Sequence, residues 1–310
     1  MLNKTKERIF QLNDKSFSSM SNLMMLKLSN VDVSEGQIYL PNNLRFLKWH
    51  GFPLKTLPSN FLARNLFELN LCGSQINYLW KGMKDFPKLK TIKLSYSHNL
   101  IETPDFTMVQ NLEMLDLKGC TRLRKVHESV GVLKSLSVLN LEGCKKLQSF
   151  PSNVFSGLKL LKILNLQGCS KLDKFPENLE GLEHLEELDA GGTAITQVPS
   201  SIALLANLQK LSFQKCNSQR PWWSSYLSRT NTRCLALPSL AEAEGCHSLE
   251  DVSLGGCTSP AIALHLFNCP KLIQNQGHRE INLAVILLKQ RLQVCHTFLS
   301  LEPMIRKKVL

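Results

Sequence analysis

Apolar residues recur along this chain in one short phrase, Leu-x-x-Leu-x-Leu, with conservative replacements. It begins at Leu23, Leu44, Leu66, Leu89, Leu112, Leu136, Leu161, Leu185 and Leu208, and successive starts lie 21, 22, 23, 23, 24, 25, 24 and 23 residues apart. A weaker copy begins at Leu249. In Leu112-x-x-Leu115-x-Leu117, residues 115 and 117 are two apart, so they share one face of a short strand while Asp116 points the other way. One such strand cannot bury its apolar side alone. Copies stacked in parallel, about 4.8 Å apart, supply each other's core. Leu115, Leu117, Leu139, Leu141, Leu164 and Leu166 are therefore expected to be almost fully buried.

A period of about 20–29 residues with this core is the leucine-rich-repeat signature. The fold class expected is α/β: a right-handed β/α horseshoe solenoid with about ten parallel strands on its concave side. The second half of each repeat is regular too. Leu54-x-x-Leu57-Pro58, Leu147-x-x-Phe150-Pro151, Leu172-x-x-Phe175-Pro176 and Ile195-x-x-Val198-Pro199 each return two apolar residues to the core, then place a proline that stops any ladder. Too little chain remains before the next strand for more than a turn or two of helix. The convex side is expected to be loops and short helices.

Glycine and cysteine follow the strand in phase, as Gly119-Cys120, Gly143-Cys144, Gly168-Cys169 and, in the weak copy, Gly256-Cys257. A small thiol filling one slot per turn accounts for this. Cys-x-x-Cys and His-Glu-x-x-His do not occur, so metal binding is unsupported and no cofactor is expected. Cys120, Cys144 and Cys169 are expected to be reduced, buried and slow to alkylate.

The phase divides the chain into five parts. Residues 1–21 read as a linker remnant and N-terminal cap, 22–216 as the repeats, 217–248 as an irregular insert loop, 249–275 as degenerate terminal repeats, and 276–310 as a C-terminal helix and basic tail. The insert contains Trp222 and Trp223, at least one of which is expected to be partly exposed as a contact anchor.

The net charge of +12 comes from 37 basic and 25 acidic side chains. It includes no long basic block and no interleaved aromatics, so nucleic-acid binding is weakly supported. The charged start lacks a signal-peptide pattern, and no apolar run approaches the roughly 18 residues of a membrane span. A cytoplasmic or nuclear protein is expected, with no membrane partner.

Particular motifs go further. Leu44-Arg-Phe-Leu-Lys-Trp-His-Gly-Phe-Pro-Leu54, Leu79-Trp-Lys-Gly82, the Leu-x-Leu-x-Gly-Cys-x-x-Leu-x-x-Phe-Pro units and Leu266-Phe-Asn-Cys-Pro-Lys-Leu272 closely resemble the repeat region of plant TIR-NB-LRR immune receptors over roughly residues 13–290. The resemblance implies a module that senses pathogen-derived proteins and restrains a nucleotide-binding switch. Its partners would be a pathogen effector or guarded host protein, and the nucleotide-binding domain of a full-length receptor. No phosphate-binding Gly-x-x-x-x-Gly-Lys-Ser/Thr occurs, and no TIR domain is recognised, so the chain reads as a repeat fragment or truncated product without the family's NAD-cleaving activity. Two alternatives stand beside this: an intracellular repeat scaffold or decoy and, least favoured, an enzyme.

The strand pattern also locates a candidate contact face. The outward position before the central apolar residue reads Met25, Phe46, Glu68, Thr91, Met114, Val138, Ile163 and Glu187. The one after it reads Lys27, Lys48, Asn70, Lys93, Asp116, Asn140, Asn165 and Asp189. Met114, Val138 and Ile163 form a run of apolar residues on a face that meets solvent, with Asp116, Asn140, Glu142 and Asn165 as its polar rim. No catalytic set is expected.

Overall fold

Among the described residues ten short strands stack in parallel in a single sheet, and their order follows the chain. The computed structural model describes residues 10–13, 16–17, 19–29, 31–33, 38–175, 179, 181–195, 201–202, 205–212 and 251–253. The strands are β1 Phe10–Leu12, β2 Met25–Ser29, β3 Val31–Val33, β4 Phe46–His50, β5 Glu68–Asn70, β6 Thr91–Lys93, β7 Met114–Asp116, β8 Val138–Asn140, β9 Ile163–Asn165, β10 Glu187–Asp189, β11 Lys210–Ser212 and β12 Asp251–Ser253. β2 and β4 to β12 make the large sheet, while β1 and β3 pair separately. Residues 10–12 are therefore a strand within the segment read as linker and cap. β12 joins in the common register, Leu211 opposite Val252, so the copy at Leu249 supplies a strand although 41 residues separate it from Leu208.

The register is that of the hydrophobic phrase. Leu69, Ile92, Leu115, Leu139, Leu164, Leu188 and Leu211 lie opposite one another in sequence. Within the three-residue strands from β5 to β10 the central residue is buried and its neighbours are half-buried. Leu115, Leu139, Leu164, Leu117, Leu141 and Leu166 are each at most 1% exposed, as the spacing requires. One continuous apolar core runs from Phe17 to Leu211.

Loops close the convex side. Among the described residues the only helical segments of four or more residues are 3-10 turns, Glu128–Val132 and Val154–Gly157. A second ladder does begin there: Glu102 bridges Lys125, which bridges Ser149, all in parallel. At the second and third of these three positions the bridging residue lies one before Val126 and Phe150, so backbone pairing ends just before Pro151 would remove a donor. Phe150 itself is half-buried, resting on Phe155 with ring centroids 5.1 Å apart.

The tryptophans of the distinctive motifs are core residues. Trp49 faces inward from β4, meets Phe52 edge-on at 5.1 Å and donates its Nε1–H to Val31 O at 3.4 Å. Trp80 packs edge-on against Phe86 and Phe106 and donates to Asp105 O at 3.2 Å. Both rings thus find acceptors for their polar tips.

Lys84 is a buried exception, 8% exposed. Its ammonium donates to the carbonyls of Phe61 at 3.0 Å, Pro58 at 3.4 Å and Ser59. Burial lowers its pKa. The side chain clips one repeat's loop to the preceding one. Lys84→Met keeps the stem but strands those acceptors, and should cost about 2 kcal/mol in urea unfolding. An unchanged midpoint would show that water replaces the clip.

The region read as insert, with Trp222 and Trp223, lies outside the described residues, as do Gly256-Cys257, Leu266 to Leu272 and the segment 276–310.

Candidate protein-docking face

The sheet presents its outward side chains in straight columns. Met114 lies opposite Val138, and Val138 opposite Ile163. All three are half-buried by their neighbours and keep part of their surface in solvent. Glu68 and Thr91 precede them and Glu187 follows, so an apolar strip three repeats wide interrupts a polar column. Large contiguous apolar patches rimmed by polar groups mark contact sites; this strip consists of three half-buried side chains.

The rim is more constrained than its residue types suggest. Asp116, Asn140 and Asn165 each turn Oδ1 back to accept the backbone N–H two residues on, at 3.1, 3.1 and 2.9 Å. Asn70 and Asp189 make the same local turn. Asp116 also accepts the Ser95 hydroxyl at 2.6 Å, and Glu142 pairs with Lys118 at 2.9 Å. These oxygens hold the exit from the strand. The preorganised part of the face is thus apolar and flat, and the rim groups have their geometry fixed in advance.

At that exit the chain turns through positive φ, +71° at Gly119 and +72° at Gly143, where a side chain is strained. The position immediately before them in the column is Tyr96, φ 62°, the lone non-glycine with positive φ among the described residues. Tyr96 is 52% exposed, and its ring lies where a Cβ on Gly119 would stand, 2.7 Å from Cδ1. His98 meets it edge-on at 6.3 Å. Sequence reasoning passed over Tyr96. Its signal was the break in the glycine column at Ser95-Tyr96-Ser97.

The thiols of the next column point inward. Cys120, Cys144 and Cys169 donate to the carbonyls of Leu94, Leu117 and Leu141 at 3.2–3.3 Å, each in the preceding repeat. Ser97 makes the same bond to Leu71 at 3.1 Å. A small donor satisfies one carbonyl per turn, which explains both the phase of the cysteines and the serine that replaces one. All three thiols are free and buried. Desolvation raises the pKa of Cys120 and Cys169 to about 12 and that of Cys144 further still.

One cluster has the residue types of a hydrolase. Ser129 Oγ lies 2.8 Å from His127 Nδ1, and Asp105 stands nearby, its carboxyl pKa lowered chiefly by bonds from Thr107 and less by His127. Ser129 is 6% exposed, however, and its hydroxyl accepts the Phe106 N–H at 2.8 Å. His127 caps the 3-10 turn by accepting the Ser129 N–H. Asp105 and His127 are half-buried, and the bonds of His127 and Ser129 are those of a capping network at the start of the 3-10 turn, with the Ser129 hydroxyl committed to backbone and ring. Among the described residues no three His, Cys, Asp or Glu side chains converge as metal ligands, and no helix is long and apolar enough to cross a membrane.

The repeat geometry defines the class, and comparison with known proteins agrees. A family model described as a leucine-rich repeat region matches residues 129–229. The disease resistance-like protein DSC1 of Arabidopsis thaliana is 35% identical over 261 residues, which are 80% of this chain and 20% of that protein. The disease resistance protein RRS1 of the same plant is 44% identical over 124 residues, 37% of this chain and 10% of that one. Among solved structures, the leucine-rich repeat domain of the type III effector XopL aligns at 23% identity over 48% of this chain and 55% of that one, with a TM-score of 0.42. The chain is a leucine-rich-repeat region of the plant TIR-NB-LRR disease-resistance type. It spans 10% and 20% of the length of the two plant relatives.

Proposed function

We propose that this chain is the protein-recognition and autoregulatory module of an intracellular plant immune receptor. It engages a pathogen effector, or a host protein the effector alters, and in a full-length receptor it also restrains the nucleotide-binding domain. It acts in the cytoplasm or nucleus, without cofactor or chemistry of its own. A rigid stack with a continuous outward sheet is suited to binding protein surfaces.

The observation that carries the reading is the strip Met114, Val138 and Ile163, in register across β7, β8 and β9. The rigidity of its rim lowers the ordering cost of association. A double change, Val138→Glu with Ile163→Glu, puts two carboxylates on the strip and leaves the inward leucines untouched. The variant should unfold within a few degrees of the parent and bind the receptor's effector at least tenfold more weakly, or raise resting signalling in a full-length receptor. A folded variant with unchanged binding and unchanged resting signalling rules the strip out. Trp222 and Trp223 are proposed as further contacts, and alanine at both should weaken the same binding.

A further inference from the structure

Over residues 111–216 the chain holds 13 basic and 11 acidic side chains, close to neutrality. The fold separates them. Five of the acids sit at or beside the strands and are ion-paired: Glu113 with Lys90, Glu142 with Lys118, Glu183 with Lys159, Glu186 with Lys162 and Glu187 with Lys210. Asp116 and Asp189 are tied to backbone N–H groups.

The turns leaving the concave sheet are different. One repeat exposes Arg122, Arg124 and Lys125 there, the next Lys145 and Lys146, the third Lys171 and Lys174. Among the described residues none of these seven cations is within ion-pairing distance of a carboxylate. The three turns are stacked: Gly119 N–H donates to Glu142 O at 2.6 Å and Gly143 N–H to Gln167 O at 2.7 Å, and Lys125 bridges Ser149. At strand spacing the cations occupy an area about 10 Å deep along the solenoid. Among the described residues Glu102, Glu128 and Asp173 lie near these turns, and none of the three is ion-paired with a cation there, so seven cations stand against three carboxylates.

The geometry points to a second docking surface on this flank, for an extended acidic segment of a partner polypeptide. Charge complementarity selects an anion. The size selects a short peptide, since three stacked turns match only a few residues of extended chain at about 3.3 Å each. Even a small DNA-binding module buries roughly 600 Å² or more. The three turns also expose no aromatic ring on which a base would stack. This surface is distinct from the apolar strip, so the two can be occupied or lost independently.

The test titrates the full chain with a fluorescent decapeptide of alternating Glu and Gly at 0.15 M salt, beside a 12-base-pair DNA duplex. A flank variant carries Arg122→Gln, Lys146→Gln and Lys171→Gln. A control removes the same charge elsewhere through Lys81→Gln, Lys88→Gln and Lys134→Gln, all exposed positions. The peptide should bind the parent, lose at least tenfold in affinity on the flank variant, and lose less than twofold on the control. Equal losses on both variants, no peptide binding by the parent, or tighter binding of the duplex than of the peptide would each overturn the assignment.

Discussion

Leu139→Asp should unfold the repeat stack, whereas Asn140→Asp, one residue further along the same strand, should leave it standing. Leu139 is 1% exposed in the middle of the inward column, between Leu115 and Leu164. An aspartate there loses the leucine's buried area and places a carboxyl among aliphatic side chains with no donor to meet it. A large-to-small core change alone costs about 2–5 kcal/mol. The unpaired polar group adds to that, and a total above about 5 kcal/mol would be large for one substitution. A fall in Tm of roughly 10 °C or more, or loss of a cooperative transition, is expected. Asn140 points outward, and its Oδ1 accepts the Glu142 N–H at 3.1 Å, a role an aspartate oxygen can fill. That change should stay within about 0.5 kcal/mol. A one-residue slip in register would exchange the two outcomes.

Stability should also fall steeply in alkali. The thiols of Cys120, Cys144 and Cys169 have folded pKa values raised from the ordinary 9.0, to about 12 for the first and last. Below pH 9 both folded and unfolded chains hold these protons, so the contribution is fully present. Above it the unfolded chain ionises while the folded chain cannot. The folded state then binds more protons, and stability drops as pH rises toward the folded values. Three thiols give a slope of about 4 kcal/mol per pH unit between roughly pH 9 and 12. Lys84 acts in the opposite sense, since burial of its ammonium is a penalty that is relieved as pH rises toward 10.5, but it is one group against the buried thiols, and the half-buried Cys72, its pKa also raised, adds to theirs. Replacing the three cysteines by serine keeps a donor at each carbonyl, as Ser97 already does, and should remove most of the slope, leaving the smaller part due to Cys72. If the triple variant does not fold, Cys144→Ser alone should remove about a third of it. Parallel urea-unfolding profiles for parent and variant over this range would show that the thiols are not buried as described.

The inward face was legible because it depends on spacing alone: any chain repeating Leu at that period must hide the same positions, and the strand at 251–253 follows the rule across a long gap. The thiols were legible for the same reason. The polar face was less so. Asp116, Asn140 and Asn165 read as free contact groups by type, yet their carboxamide and carboxylate oxygens are held by N–H groups two residues on. That commitment depends on backbone direction after the strand, which composition does not carry. The basic flank was hidden by averaging, because acids and bases that are near neighbours in sequence diverge to different sides of one turn. Tyr96 required a dihedral angle to be noticed.

The strip across β7, β8 and β9 is most directly tested by a photo-crosslinking residue at position 138 in a full-length receptor, with a second at Lys134 on the convex side as reference. The account predicts crosslinks from position 138 to the nucleotide-binding domain at rest or to the effector after challenge, and none of comparable yield from position 134. Crosslinks of equal yield from both positions, or from position 134 alone, would contradict it.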